Sequence, residues 1–208
     1  MTEVTVEAVE SVGEQTVALA LSTPDAFDAA PGQFVLVRKD ADGDAGYYTI
    51  SSPDVEGTFE ITVGYPEGES AEESLGTWLA DRAVGDTVDV EGPLGHVQYR
   101  GEGDVVVYAA GPGIGPAVGI AERAIDAGNA ATVVYRGENP PHEARLAALR
   151  EAGATVAVVD ALDGEHLTGE TANVYVFGFD EFVEEAKAVL EADGRDPSEA
   201  AIESFGPA

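Results

Sequence analysis

A glycine-rich segment near the middle of the chain carries the clearest chemical signal. Residues 111–116 read Gly-Pro-Gly-Ile-Gly-Pro and follow an apolar run at 105–109. Glycines let a phosphate approach the backbone, and the free N–H groups of a following helix attract its charge. The candidate ligands of a nucleotide pyrophosphate are Gly111, Gly113, Ile114, Gly115 and Pro116. The third glycine of the usual dinucleotide fingerprint is replaced by Pro116, so a tight structural turn is the alternative interpretation.

Two charged residues follow the next predicted strand, where dinucleotide-binding folds contact the adenosine ribose. Glu138 could accept a hydrogen bond from a ribose 2′-hydroxyl, which favours NAD. Arg136 could instead pair with a 2′-phosphate, which favours NADP. An exposed ion pair is the third interpretation, and the sequence does not choose among them. The chain has no Gly-Lys-Ser/Thr phosphate loop, so nothing in it supports nucleotide hydrolysis.

Composition excludes several other kinds of chemistry. The 208 residues include no cysteine, which excludes disulfides, thiolate catalysis and cysteine-ligated zinc or iron–sulfur centres. The three histidines, His96, His142 and His166, are too scattered to predict a metal site. No signal peptide or membrane-spanning run is recognisable, so we expect a soluble cytoplasmic protein without a membrane partner.

The chain is strongly acidic. Forty acidic residues against ten basic ones give a formal net charge of −30. Such a charge disfavours nucleic acid and anionic membrane surfaces as partners. We interpret it as an adaptation to a salt-rich cytoplasm, because at about 1 M salt the Debye length falls to roughly 3 Å and the repulsion is screened.

The first hundred residues alternate apolar and polar side chains between turn signals. The pattern predicts one helix at 71–82 and six strands, at 5–9, 17–21, 34–38, 47–50, 59–63 and 87–90. Six short strands with Pro and Gly turns are typical of a closed antiparallel barrel of the Greek-key type. This barrel is the first predicted domain, residues 1–100.

From Asp104 onward, strands and helices alternate. The predicted strands are 105–109, 132–135, 155–159 and 174–177, and the predicted helices follow the first, second and fourth of them. The last helix should have Asp180 as its N-cap and end at Gly194. Continuous apolar strands between helices indicate a doubly wound parallel sheet. This α/β sheet is the second predicted domain, residues 104–208.

Five segments in order resemble the ferredoxin–NADP reductase superfamily across nearly the whole chain. They are Pro-Gly-Gln-Phe-Val at 31–35, Gly-Tyr-Tyr-Thr-Ile-Ser-Ser at 46–52, Ser-Leu-Gly-Thr-Trp-Leu at 74–79, Gly-Asp-Thr-Val at 85–88 with Gly-Pro-Leu-Gly at 92–95, and the loop at 111–116. The second resembles the superfamily's flavin motif, Arg-x-Tyr-Ser/Thr-x-x-Ser. The resemblance implies a flavin-binding barrel followed by an NAD(P)-binding domain.

The resemblance also implies roles for individual residues. Tyr48 would lie against the flavin ring, and Thr49 would donate a hydrogen bond at the flavin edge that accepts hydride. The other implied flavin contacts are Ser52, the backbone of Thr62 and Val63, and, for the flavin phosphate, Gly76 and Thr77. An ordinary barrel strand is the alternative interpretation of residues 47–50.

Three departures from the superfamily pattern matter. The flavin-motif arginine is Gly46, and we hypothesise that Lys39, or neighbouring Arg38, replaces its charge from the opposing position of a hairpin. The late Cys-Gly-Pro motif is Phe177-Gly178-Phe179, so Phe179 either occupies the nicotinamide position, beside Gly178, or packs, and packing is favoured. Phe205, close to residue 208, either stacks on the flavin or plugs the core.

The sequence therefore predicts a flavin-dependent NAD(P)H oxidoreductase. Thr49 and Phe179 are its candidate catalytic residues. The expected cofactor is FAD rather than FMN, with NADH or NADPH as co-substrate and no iron–sulfur cluster. Electrons would pass to a small redox protein such as ferredoxin or to another acceptor subunit. The alternatives are a catalytically reduced electron-transfer subunit and a nucleotide-binding regulatory module.

Overall fold

The computed structural model describes residues 1–39, 43–66, 74–167 and 172–207, and these form two sheets with four α-helices. The strands of the first sheet are β1 (Thr2–Gly13), β2 (Thr16–Ser22), β3 (Phe34–Arg38), β4 (Ala45–Thr49), β5 (Thr58–Gly64) and β6 (Thr87–Leu94). Those of the second are β7 (Val105–Ala110), β8 (Ala131–Arg136), β9 (Thr155–Val159), β10 (Asn173–Gly178) and β11 (Ala201–Ser204). The helices are α1 (Leu75–Ala80), α2 (Ile114–Asp126), α3 (Glu143–Glu151) and α4 (Asp180–Ala192).

The first sheet is antiparallel, in the order β4-β3-β6-β1-β2-β5. Its alternating apolar residues point inward to one core, as the period of two requires. The two edge strands meet at one bridge between Ile50 and Ile61, where the Ser51 N–H donates to the Glu60 carbonyl at 2.8 Å. The sheet therefore closes into the predicted six-stranded barrel, and beyond this bridge β4 and β5 diverge.

The second sheet is parallel, in the order β11-β10-β7-β8-β9. Helices α2 and α3 cover one face and α4 the other, so every residue of β7 is buried. The chain winds from β7 outward to β9 and then returns to β10 on the other side of β7. The carboxyl ends of β7 and β10 therefore form a topological switch point, where open α/β sheets bind ligands.

Three details differ from the sequence prediction. Helix α1 ends at Ala80 rather than at residue 82, because Asp81 is its C-cap, and residues 71–73 lie outside the described part. The N-cap of α4 is Phe179 rather than Asp180, whose carboxylate instead accepts a hydrogen bond from Ser204. Strand β11 was not predicted. Its four residues form a short edge strand beside β10, too brief for a periodic signal.

The segment between the sheets, residues 95–104, contacts both of them. The Tyr99 N–H donates to the Pro31 carbonyl on the barrel, while the Tyr99 side chain is buried in the core of the second sheet. The domain limits at residues 100 and 104 stay a prediction. Within the described ranges, no helix is both long and apolar enough to cross a membrane.

Candidate functional site

A cleft of about 1140 Å³ opens between the barrel seam and the carboxyl ends of the parallel strands. On the barrel side it is lined by β4 and β5 beyond the bridge at which they last pair. On the other side it is lined by the segments that follow β7, β8, β10 and β11. Its volume is just above the range of about 300–1,000 Å³ usual for ligand pockets.

Seven of the predicted site residues line this cleft. They are Tyr48, Thr49, Thr62, Gly111, Glu138, Phe179 and Phe205. Their roles stay predictions, but the fold brings them together from six separate segments of the chain. Residues that the sequence motifs placed far apart in the chain therefore line one cleft in the structure.

Tyr48 lies over the position where the superfamily has its arginine. A Cβ atom on Gly46 would be 3.1 Å from Cε2 of the Tyr48 ring and 3.0 Å from Cδ2 of Leu75. Burial raises the pKa of Tyr48 to about 12. The ring is therefore a neutral, half-buried apolar surface at the cleft, and it packs against the barrel core.

Lys39 does not stand opposite Gly46, so that part of the hypothesis is wrong. Gly46 pairs with Val37, and the Lys39 N–H donates to the Asp44 carbonyl at 3.2 Å. The hairpin loop is shorter than predicted because β4 already begins at Ala45, which moves the register by two residues. The Lys39 ammonium lies 5.9 Å from the centre of the Trp78 ring on α1. Its proposed contact with flavin phosphate stays a prediction.

The predicted phosphate residues on α1 are already engaged within the protein. The Thr77 N–H donates to the hydroxyl of the N-cap Ser74 at 3.0 Å, and that hydroxyl donates to Thr77 Oγ1 at 2.9 Å. A Cβ on Gly76 would lie 2.5 Å from the Gly64 carbonyl oxygen. Glycine at position 76 is therefore required by the close approach of α1 to β5, whether or not a phosphate binds there.

Only part of the glycine-rich loop faces the cleft. Gly111, with a φ of +53°, lines it together with Pro112. Gly113 is buried, and a Cβ there would lie 2.2 Å from the Phe177 carbonyl oxygen. Gly115 is also buried, and its Cβ would lie 2.7 Å from Thr62 Oγ1 on the barrel. Ile114 and Pro116 are buried in α2 as well. Close backbone packing thus accounts for two of the three loop glycines.

The C-terminal aromatic residues lie across the cleft from the barrel. Phe179 and Phe205 pack edge to face with ring centres 6.0 Å apart. Phe205 lines the cleft and packs against the core of the parallel sheet, and its stacking on a flavin stays a prediction. Gly178 is buried, and its Cβ would lie 2.4 Å from Cδ1 of Phe182. Beside them, burial raises the pKa of the Glu203 carboxyl.

Thr62 on β5 is hydrogen-bonded to His142, the N-cap residue of α3. Its hydroxyl oxygen is 2.8 Å from Nε2 of His142, whose side chain is 3% exposed. The His142 N–H also donates to the Val12 carbonyl at 2.7 Å. Burial, and then the charge of Arg145, lowers the pKa of His142 to about 3. A neutral imidazole therefore holds the barrel and the parallel sheet together beside the cleft.

Arg145 forms the second contact between the sheets. It donates to the Glu60 carboxylate at 2.7 Å, to the Ser51 carbonyl at 2.7 Å and to the Glu122 carboxylate at 2.6 Å. Ser51 Oγ donates to the same Glu60 oxygen at 2.8 Å. Sequence analysis assigned no role to His142, the N-cap of α3, or to Arg145 within that helix, because their partners lie on the barrel, far away in the chain.

The remaining predicted residues lie away from the cleft. Ser52 Oγ accepts from the Glu60 N–H at 3.0 Å, and Val63 is fully buried in the barrel core. Arg136 turns to the α4 face of the sheet, where it pairs with Glu185. The cleft-lining residues that sequence analysis missed include Phe34, Tyr47, Tyr65, Tyr135, Asn139 and Glu203. Tyr47 had a detectable signal, because alternation places it on the outer face of β4, where it is 69% exposed.

Comparison with known proteins agrees with this architecture. Residues 3–99 match the family model described as "Oxidoreductase FAD-binding domain". Ferredoxin–NADP+ reductase from Plasmodium falciparum superposes with a TM-score of 0.80, over 97% of this chain and 95% of that one, at 11% identity. The chain has the two-domain fold of this reductase. The fold that the sequence motifs implied by resemblance is therefore confirmed.

Two other solved structures cover the chain equally well. The Amycolatopsis cytochrome P450 reductase GcoB is 22% identical, with a TM-score of 0.78 over 99% of this chain and 70% of that one. The flavohem-like FAD/NAD binding domain of nitric oxide dioxygenase from Vibrio cholerae O1 biovar El Tor is 21% identical, with a TM-score of 0.76 over 99% and 98%. No curated protein matches the sequence.

Proposed function

We propose that the chain is a flavin-dependent NAD(P)H oxidoreductase with FAD as its cofactor. One observation carries the proposal. The cleft joins the open barrel seam of an FAD-binding domain to the switch point of a parallel sheet, where a nucleotide would bind. A flavin ring and a nicotinamide ring would share this single cleft, an arrangement that suits hydride transfer from one to the other.

The barrel side of the cleft fits the flavin ring. Tyr48 offers a neutral aromatic surface, and Thr49 offers a hydroxyl at the cleft rim. The diverging strands β4 and β5 leave backbone groups of Thr62 and its neighbours facing the seam. The phosphate end of the flavin would lie toward Gly76 and Thr77 at the start of α1. Lys39 is close to this helix because its ammonium lies 5.9 Å from the centre of the Trp78 ring. FMN lacks the adenosine that this extended cleft can accommodate.

The opposite side of the cleft fits a nicotinamide nucleotide. Gly111 and Pro112 present backbone to the cleft, and Phe179 and Phe205 line it as an edge-to-face pair that offers an apolar surface to the nicotinamide. A bound flavin supplies the chemistry, because it accepts a hydride from nicotinamide and releases electrons singly to an acceptor. The chain supplies orientation, a dry surface and the Thr49 hydrogen bond. We propose a cytoplasmic redox protein such as ferredoxin as the acceptor.

A second candidate function rests on Gly46. Because the flavin-motif arginine is absent, a catalytically reduced electron-transfer subunit would keep the fold without turnover, and a regulatory module would bind the nucleotide without flavin. The visible spectrum of protein purified in concentrated KCl separates these functions. We expect flavin bands that bleach when NADH or NADPH is added without oxygen. Bands that persist support the electron-transfer subunit, and a colourless protein that takes up no FAD contradicts our proposal.

A variant pair links the reaction to the cleft. Thr49→Val keeps the side-chain volume and removes the hydroxyl, so flavin reduction should slow by about tenfold or more, the factor expected from one lost hydrogen bond. Thr58→Val is the matched control, because Thr58 is an exposed barrel residue outside the cleft lining. Equal reduction rates in both variants would remove Thr49 from the mechanism.

A further inference from the structure

Arg136, the last residue of β8, lies outside the cleft lining and is held by an ion pair. Its Nη1 lies 3.3 Å from Oε2 of Glu185 on α4, and its guanidinium carbon lies 5.5 Å from the centre of the Phe182 ring. The other oxygen of Glu185 accepts a hydrogen bond from the Leu162 N–H at 3.0 Å. Arg136 is thus paired with a carboxylate that is itself anchored to the backbone. Arg136 is therefore not among the residues that line the cleft.

Glu138, two residues later, points the other way. It is exposed and lines the cleft. Every lysine and arginine of the chain lies in the described part, and none of these ten residues lines the cleft. The charged side chains that do line it are the carboxylates of Glu14, Glu138 and Glu203. An additional phosphate group on the adenosine would therefore meet negative charge and no cation.

We infer that the protein uses NADH in preference to NADPH, with Glu138 and Glu185 as the residues that determine this specificity. The inference rests on the proposed function and deepens it. Glu138 accepts a hydrogen bond from the 2′-hydroxyl of the adenosine ribose and repels a 2′-phosphate. Glu185 does not touch the nucleotide. It is a positioning residue, because it keeps Arg136 from pairing with that phosphate.

The discrimination should persist in concentrated salt. At about 1 M salt the Debye length is roughly 3 Å, so the net charge of the whole chain has little influence on a nucleotide. A direct contact such as that between Glu138 and the ribose is screened much less. A preference that disappeared at high salt would indicate the general charge of the protein rather than these two residues.

The main test compares kcat/KM for NADH and NADPH in concentrated KCl, for the wild-type protein and three variants. We expect the wild type to favour NADH by at least about tenfold, and Glu138→Gln to reduce this ratio. Glu185→Gln keeps an acceptor for the Leu162 N–H but releases Arg136, so kcat/KM for NADPH should rise by about tenfold while that for NADH stays nearly constant. Glu184→Gln is the control, because Glu184 pairs with Lys187 on the same helix outside the cleft.

Three results would overturn the inference. A wild-type protein that uses both nucleotides equally, or prefers NADPH, contradicts the preference itself. A Glu185→Gln protein with unchanged NADPH kinetics contradicts the positioning role. If that variant does not fold, Arg136→Gln replaces it. Arg136→Gln should leave the ratio of kcat/KM for NADH to that for NADPH unaltered. A fall in kcat/KM for NADPH alone would show that Arg136 contacts the 2′-phosphate and would overturn the inference.

A binding measurement separates this inference from the proposed function. Calorimetry with 5′-AMP and adenosine 2′,5′-bisphosphate needs no flavin reduction, and we expect the first to bind the wild-type protein more tightly. If neither NADH nor NADPH bleaches the flavin but this order holds, the proposed function fails, while the preference of the nucleotide site for a 2′-hydroxyl over a 2′-phosphate stands. If both nucleotides bleach the flavin equally well, the proposed function stands and the inference fails.

Discussion

The buried histidine between the two sheets predicts how the protein responds to acid. His142 bonds Thr62, its Nδ1 atom is buried without a hydrogen-bond partner among the described residues, and burial lowers its pKa from 6.5 to about 3. A histidine with a depressed pKa binds its proton more readily in the unfolded chain. Its contribution to stability is therefore complete above pH 6.5 and is lost as the pH falls toward 3. Each pH unit within this window costs about 1.4 kcal/mol, so between about pH 7 and pH 5 the loss is about 2 kcal/mol.

The substitution His142→Asn isolates this effect. Asparagine tolerates the left-handed backbone at this position, where φ is +63°, and it does not titrate. Near pH 7 the variant should be about 1 kcal/mol less stable than the wild type, because it loses the bond to Thr62. Near pH 5 the order should reverse, because the wild type alone bears the cost of about 2 kcal/mol from keeping a neutral imidazole.

Urea unfolding at both pH values, in the same concentrated KCl, measures the two free energies without changing the ionic strength. His96→Asn is the control, because it removes an exposed histidine rather than the buried one. Carboxylates also titrate in this window, but they do so equally in all three proteins. Parallel curves for the wild type and His142→Asn would refute the assignment of the pH dependence to this buried imidazole.

Two further substitutions test the contact between the sheets. Gly115→Ala places a methyl group 2.7 Å from Thr62 Oγ1, so urea unfolding should show a loss of about 1–3 kcal/mol. Gly64→Ala should show almost none, because a Cβ added there would have no atom within 4 Å. Equal losses would show that Gly115 is not a packing glycine. Arg145→Met leaves two partly exposed carboxylates without their cation and should cost about 2 kcal/mol, while Arg150→Met removes an exposed pair worth at most about 1 kcal/mol. An Arg145→Met protein as stable as the wild type would mean that solvent screens this network completely.

The local pattern of the chain predicted most of the fold. Alternation at 59–63 and the continuous apolar run at 105–109 each predicted a strand of the observed kind, because the period depends on whether one face or both faces of a strand are buried. The register of β3 and β4 was not predictable in the same way. It depends on where the hairpin ends, and Asp44 and Ala45 carry no signal that separates loop from strand.

Contacts between the two sheets were beyond sequence reasoning for a different reason. His142 and Arg145 act on Thr62 and Glu60, which are about eighty residues away in the chain. Nothing local to either segment encodes that approach. It follows from how α3 is placed once both sheets have formed, and then each side chain finds its partner through burial and charge.

The glycines show where the inference from motif to function is ambiguous. A glycine permits close approach to its Cα, but the sequence does not say whether the approaching atom belongs to a ligand or to the protein. In this chain Gly111 faces the cleft, whereas Gly113 is approached by the Phe177 carbonyl and Gly115 by Thr62. The same loop that presents backbone to the cleft therefore also packs, at Gly115, against the barrel. A larger residue at position 115 would move the two walls of the cleft relative to each other, so loss of nucleotide binding in such a variant would not by itself identify a ligand contact.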